Sequence, residues 1–211
     1  MTQMLTIALP KGRLQAPALQ RFAAAGIVPE EEPGSSRRLI VPAGAGARFL
    51  VLKDGDVPMY VERGAADLGV CGLDQILESG ADLLIPIELG FGRCRLCVAA
   101  PASRGASGLD DLGRSLRVAT KYPRLAAKAF ARRGVPIDLV RLSGSVELAA
   151  VAGLSDAIVD LVESGRTLAE NGLTVVEELL AVSARLVVNR AAYRLKIDEL
   201  RPLLEKLGGA P

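Results

Sequence analysis

The sequence predicts an α/β protein of two lobes with a cleft between them, and three observations carry that expectation. Half of the 211 residues are apolar but only 3% are aromatic, with no Trp. The core must therefore be built from Val, Leu, Ile and Ala, as in sheets covered on both faces. Short apolar runs alternate with amphipathic segments in a βα rhythm. That rhythm breaks once, just before Cys94, where a strand arrives with no helix ahead of it and Pro101 to Gly108 form a small-residue stretch. The break sets a first lobe at 1–93 plus 180–211 and a second at 94–179.

Taken in order, "LTIAL" reads as a buried strand, "PKGR" as a loop, and Leu14 to Ala25 as a helix stopped by Gly26. "RRLIVPA" and "ARFLVLK" read as two strands whose turn holds Gly44 and Gly46, so the GxG there is a hairpin and not a dinucleotide fingerprint. "DVPMYVERG" suits a short helix with Asp56 as its cap and Gly64 past its end. "ADLGVCG" is a buried strand, and "LDQILESG" and "ADLLIPI" continue the series. In the second lobe "LRVATK" is a strand, and "PRLAAKAFARRG" is a helix with Pro123 in its first turn and Leu125, Ala129 and Phe130 on one face. "IDLVRL", "SVELAAVAG", "DAIVDLV" and "SGRTLAENG" repeat strand and helix. "TVVEELLAVSARLVVNR" supplies two strands, and "KIDELRPLLEKLG" a closing helix with a kink or break at Pro202.

Several function classes are excluded early. The net charge is +2 with the basic residues scattered, which leaves no stripe for nucleic-acid phosphates. The opening "MTQMLTIALPKGRL" lacks the basic start and long apolar segment of a leader, and no 18-residue apolar run occurs, so the expectation is a cytoplasmic protein without membrane contact. Cys94 and Cys97 form a CxxC, but strand residues three apart point to opposite faces, which makes them core thiols. The chain has no His, so triad chemistry and His-ligated zinc are out, and no residue is nominated as a metal ligand. The chemistry left is that of charge, position and a bound ion.

Two stretches invite an anionic ligand. In "DAIVDLVESGRTLAENG", Asp160 lies in or at the end of a buried strand, and Ser164, Gly165, Arg166 and Thr167 stand where a helix starts. Unpaired N–H groups and the helix dipole make such a turn an anion site, and the hydroxyls add donors. Read structurally, Ser164 or Thr167 caps the helix, and Thr167 with Glu170 makes a capping box. In "VRLSGSVELA", Ser143, Gly144 and Ser145 repeat the pattern one strand earlier, which places both turns at one edge of a parallel sheet, where α/β proteins bind ligands. In the first lobe, Lys11 and Arg13 sit in a strand-to-helix loop, and Arg37 and Arg38 precede a strand. They read as solvated charges singly, or as cations for a second phosphorylated group.

"LTIALPKGRL", "DVPMYVERGAADLGVCG", "LGFGRCRLCVAAP", "RVATKYPRLA", "LSGSVELAAVAGLSDAIVDLVESGRTLAENGL" and "SARLVVNR", in this order, resemble the catalytic subunit of short-form ATP phosphoribosyltransferase, the first enzyme of histidine biosynthesis. The resemblance implies a fold like type II periplasmic binding proteins and a Mg²⁺-assisted reaction between ATP and phosphoribosyl pyrophosphate. It implies that Asp160 holds the ribose hydroxyls, that Ser164, Gly165, Arg166 and Thr167 wrap the 5′-phosphate, and that Glu147, Glu163 and the Ser143–Ser145 turn add contacts. Lys11, Arg13 and Arg37 match basic positions for the departing pyrophosphate, and Tyr122 is placed near the nucleobase. Similarity to the short form implies a homodimer served, in a hetero-oligomer, by a separate regulatory subunit resembling histidyl-tRNA synthetase, through which histidine would inhibit. Met59, Leu73 and Glu88 depart from the family pattern, which has Thr, Lys and Asp there. Two readings compete with this one: a two-lobed anion- or solute-binding protein without catalysis, and an α/β domain whose Ser/Gly turns are only caps.

Overall fold

A computed structural model describes residues 4–35, 37–113 and 115–208, so part of the opening segment read for a leader, Met1 to Gln3, lies outside it. The chain divides into two compact units, Met1–Gly92 with Ser183–Pro211, and Arg93–Val182.

The first unit is built on β1 (Leu5–Pro10), β2 (Ile40–Ala43), β3 (Ala47–Leu52), β4 (Leu68–Gly72), β5 (Leu84–Glu88) and the late strand β11 (Ala184–Val188). Their order is β2-β3-β1-β4-β11-β5. β3 and β4 run parallel to β1, whereas β2 and β11 run antiparallel to their neighbours. β1 is buried at all six positions, as an unbroken apolar run demands of a strand covered on both faces. Helix α1 (Gln15–Ala24) buries Ala18 and Phe22, one turn apart, and Phe22 meets Phe49 of β3 edge to face at 5.5 Å. Gly69 cannot be enlarged, because a Cβ there would lie 2.9 Å from the Ala8 methyl.

Helices α2 (Val57–Glu62) and α3 (Leu73–Ser79) follow β3 and β4. Asp56 precedes α2 without a side-chain cap, because a short 3₁₀ turn over Asp54–Asp56 leads into the helix instead. After β11 come α7 (Arg190–Leu195), a turn the periodicity missed, and α8 (Ile197–Gly208). Pro202 lies inside α8, which runs unbroken through it.

The second unit holds β6 (Cys94–Pro101), β7 (Leu116–Thr120), α4 (Pro123–Arg132), β8 (Ile137–Arg141), α5 (Val146–Val151), β9 (Ala157–Val162), α6 (Arg166–Glu170) and β10 (Leu173–Val182). The strand order is β10-β6-β9-β7-β8. β8 and β9 both run parallel to β7, which they flank, while β6 is antiparallel to β9 and β10 to β6. β10 is continuous to Val182, past the boundary at residue 179 expected from the sequence. In α4 the buried pair is Ala126 and Phe130, with Leu125 and Ala129 only half-buried. Cys94 and Cys97 are free thiols, both buried, as the strand geometry required. Among the described residues no helix is long and apolar enough to cross a membrane.

Candidate active site

Because β7, β8 and β9 are mutually parallel, their carboxyl ends share one edge of the second sheet. Three turns leave from that edge: Lys121–Tyr122 into α4, Ser143–Ser145 into α5 and Glu163–Gly165 into α6. This is the edge at which open α/β sheets receive ligands. A pocket of about 230 Å³ opens there, lined by Glu147, Asp160, Leu161, Val162, Glu163, Ser164, Gly165, Thr167 and Leu168.

The turn into α6 is made by glycine for a conformational reason. Gly165 has φ 78°, ψ 0°, a left-handed geometry that costs an L side chain about 1–2 kcal/mol. Space is not the constraint, since an added Cβ would meet only Val162 Cγ1 at 3.8 Å. Neither α5 nor α6 has a side-chain cap, so the expected Thr167–Glu170 capping box is not formed. The Ser164 hydroxyl accepts from the Arg166 N–H only at a long 3.4 Å. The Arg166 guanidinium pairs with Glu170 at 2.7 Å on the exposed side of α6, and Arg166 is not among the residues that line the pocket. Ser145 opens α5 with φ 48°, an uncommon geometry for a residue with a Cβ. Ser143, Gly144 and Ser145 are exposed at the neighbouring strand end but do not line the pocket; Glu147, two residues on, does.

Asp160 sits near the end of β9 with 14% of its side chain exposed, and its Oδ1 accepts the Leu161 N–H at 2.8 Å. Burial pushes its carboxyl above the usual range; the ammonium of Lys121, 3.4 Å from Oδ1, and the Leu161 N–H pull it back, and Glu147 adds slightly to the rise. Lys121 was not singled out in the sequence. Its nearness to Asp160 follows from strand pairing, which sets Thr120 opposite Val159. Tyr122, which the resemblance places near the nucleobase, is 1% exposed, one of the largest fully buried side chains, and Lys121 Nζ lies 5.4 Å from its ring centroid. It packs as a core residue at the start of α4.

In the first unit Lys11 and Arg13 are exposed in the loop between β1 and α1, where the Lys11 N–H donates to Leu52 O at 2.7 Å. Arg37 is exposed ahead of β2, and Arg38 pairs with Glu31 at 3.7 Å. Of the three departures, Met59 is 49% exposed and Leu73 opens α3. Glu88 joins β5 to β11, accepting from Ser183 Oγ at 2.9 Å and from Arg185 at 2.6 Å.

A family model, HisG: ATP phosphoribosyltransferase, matches residues 53–209. The ATP phosphoribosyltransferase of Acidithiobacillus ferrooxidans is 48% identical over 209 residues, covering 98% of this chain and 97% of its own. That of Burkholderia cenocepacia is 49% identical over 207 residues, 97% of this chain and 95% of its own. The solved ATP phosphoribosyl transferase (HisG:HisZ) complex from Thermotoga maritima matches with TM-score 0.85 and 35% identity, over 97% of this chain and 96% of that one. The alkanesulfonate-binding protein SsuA from Xanthomonas axonopodis pv. citri, bound to MOPS, shares the fold at TM-score 0.56 and 15% identity, over 97% of this chain and 72% of its own. The fold is thus one that HisG has in common with a solute-binding protein. With a matching model over most of its length and relatives of near one-half identity along almost all of it, the chain belongs to the HisG family of ATP phosphoribosyltransferases.

Proposed function

We propose that the pocket at the end of β9 holds the phosphoribosyl group in the reaction this chain catalyses, transfer of that group from phosphoribosyl pyrophosphate to the adenine ring of ATP, the first step of histidine biosynthesis. One observation carries the assignment: two carboxylates, Asp160 and Glu147, share a pocket wall with an uncapped, hydroxyl-bearing turn. Carboxylates accept from sugar hydroxyls, and a turn with free N–H groups receives a phosphate. A phosphorylated sugar presents both.

In this assignment Asp160 accepts from the ribose hydroxyls and Glu147 adds a second acceptor. The N–H groups of Gly165, Arg166 and Thr167 and the hydroxyls of Ser164 and Thr167 surround the 5′-phosphate, with Glu163 at the rim. Ser143, Gly144 and Ser145 border the same sheet edge. Lys11, Arg13 and Arg37 are assigned to the departing pyrophosphate, on which negative charge grows as a ring nitrogen displaces it from the anomeric carbon. No step requires a proton shuttle, so a chain without His meets the chemical need.

Magnesium fits as a substrate-borne ion. Among the described residues no group of three or more acidic, Cys or His side chains could cage a metal, whereas Mg²⁺ carried on a diphosphate needs only one or two protein carboxylates. When bound, it would neutralise the leaving group. The cytoplasm, where ATP and phosphoribosyl pyrophosphate meet, is the proposed compartment. A HisZ-type regulatory subunit is the proposed partner, after the Thermotoga HisG:HisZ complex, and a homodimer is the proposed state of this chain within that assembly.

The test is Asp160→Ala. Losing hydrogen bonds to a charged acceptor removes about 1.5–3 kcal/mol, so kcat/KM for phosphoribosyl pyrophosphate should fall about ten- to a hundredfold. Formation of phosphoribosyl-ATP at the wild-type rate would refute the assignment.

A further inference from the structure

The roles above leave the charge of Lys121, at this sheet edge, unused. Lys121 follows β7 directly, and its turn is fixed from below by Thr120, which is fully buried. The Thr120 hydroxyl donates to Val159 O at 2.6 Å and accepts the Tyr122 N–H at 2.8 Å, clamping the residues on either side of Lys121 to β9. The Lys121 ammonium then lies 3.4 Å from Asp160 Oδ1, the same oxygen that accepts the Leu161 N–H. Both contacts fall on one oxygen of the carboxylate.

We propose that Lys121 is a positioning residue of the transfer reaction: with the Leu161 N–H it holds Oδ1 of Asp160 and so presents Oδ2 to the sugar hydroxyls. The inference rests on the ribose-binding role assigned to Asp160. Lys121 is 38% exposed, too open for the pair to matter much as a source of stability, so its effect belongs to orientation and charge. The charged groups acting on Asp160 are Lys121 from the end of β7 and Glu147 from α5; Glu163 lines the same pocket, and Cys97 on β6 is the register partner of Asp160. Burial and Glu147 both oppose ionisation of Asp160, and Lys121 is the cation that counters them.

The experiment compares Lys121→Gln, which keeps length and removes charge, with Lys121→Arg, in the assembly that supports turnover. Steady-state kinetics are followed across pH beside a thermal melt. Lys121→Gln should raise KM for phosphoribosyl pyrophosphate about tenfold, leave KM for ATP unchanged, and move the acid limb of kcat/KM up by about one pH unit. Lys121→Arg should restore both. In an Asp160→Asn background Lys121→Gln should add about twofold at most, because the lysine acts through that carboxylate. An unmoved acid limb in folded Lys121→Gln, or a full additive loss in the Asp160→Asn background, overturns the proposal; so does failure of Lys121→Gln to fold, which would make the pair structural. If Asp160→Asn alone binds phosphoribosyl pyrophosphate as wild type does, the reading of the pocket falls and takes this inference with it.

Discussion

Asp156 shows how one carboxylate, placed ahead of the strand that carries the site, ties several elements together. Its Oδ2 accepts the Arg117 N–H at 3.0 Å and Arg117 Nε at 3.2 Å, and its Oδ1 accepts from Arg117 and Arg104, each at 3.2 Å. The Arg117 side-chain bonds, then its backbone N–H, hold the carboxyl below its ordinary value of 3.8, against the rise that burial causes. A depressed folded value means that the contribution to stability is complete above the unfolded value and is lost as pH falls through the folded one. Asp156→Asn should therefore lower unfolding free energy at pH 7 by about 1–3 kcal/mol, and the gap to wild type should narrow towards pH 3. Urea melts at the two pH values measure this; an equal gap at both would contradict the charge-assisted account. At this scale the sequence was informative where chemistry is local. Residue type beside a strand end was enough to suggest Asp160 and the Gly165 turn, whereas Glu147 came only with the family resemblance. It could not mark Lys121, whose partner lies across a strand pair, nor the burial of Tyr122, which depends on what α4 packs against.

Elements were legible as far as periodicity reaches. Buried strands and Gly-stopped helices were found in order, but strand direction is not written in an apolar run, so β11, β6 and β10 could not be read as antiparallel. Helix α7, six residues long like α2 and α5, escaped because no Gly marks its end as Gly64 and Gly153 mark theirs. Its signal was Asn189, read only as the end of a strand. The Asn189 side chain accepts from Ala192 N–H at 2.8 Å as the cap of α7 and donates to Val61 O at 2.8 Å and Glu62 O at 3.0 Å at the end of α2. It thereby joins two helix ends with one buried amide. Asn189→Ala removes the cap and one donor from each of two carbonyls, of which Val61 O keeps the Gly64 N–H at 3.1 Å, a loss of about 1–3 kcal/mol. Chemical denaturation should register it, with little change in KM for either substrate, since the amide lies in the first unit's core. A loss below about 0.5 kcal/mol, the range of an ordinary surface change, would show that water replaces these bonds.

At the scale of the whole molecule the open matter is regulation. The Thermotoga relative was solved as a HisG:HisZ complex, and this chain matches it over nearly all of its length. If the HisZ-type subunit proposed here is the receptor for histidine, inhibition is a coupling between sites on different chains. It then exists only in the assembly, and linkage makes it reciprocal: whatever factor histidine imposes on phosphoribosyl pyrophosphate affinity, the substrate must impose on histidine affinity. The catalytic chain alone should neither bind histidine nor be inhibited by it. In the reconstituted complex, saturating phosphoribosyl pyrophosphate should weaken histidine binding by the same factor that histidine weakens substrate binding, in the range of about 5- to 150-fold. Calorimetric titrations of each ligand, with and without the other, measure both factors. Histidine inhibition of the isolated chain would place the effector site on this chain. Unequal binding factors in the complex would mean that a further linked equilibrium, such as a change of assembly size, accompanies one of the ligands.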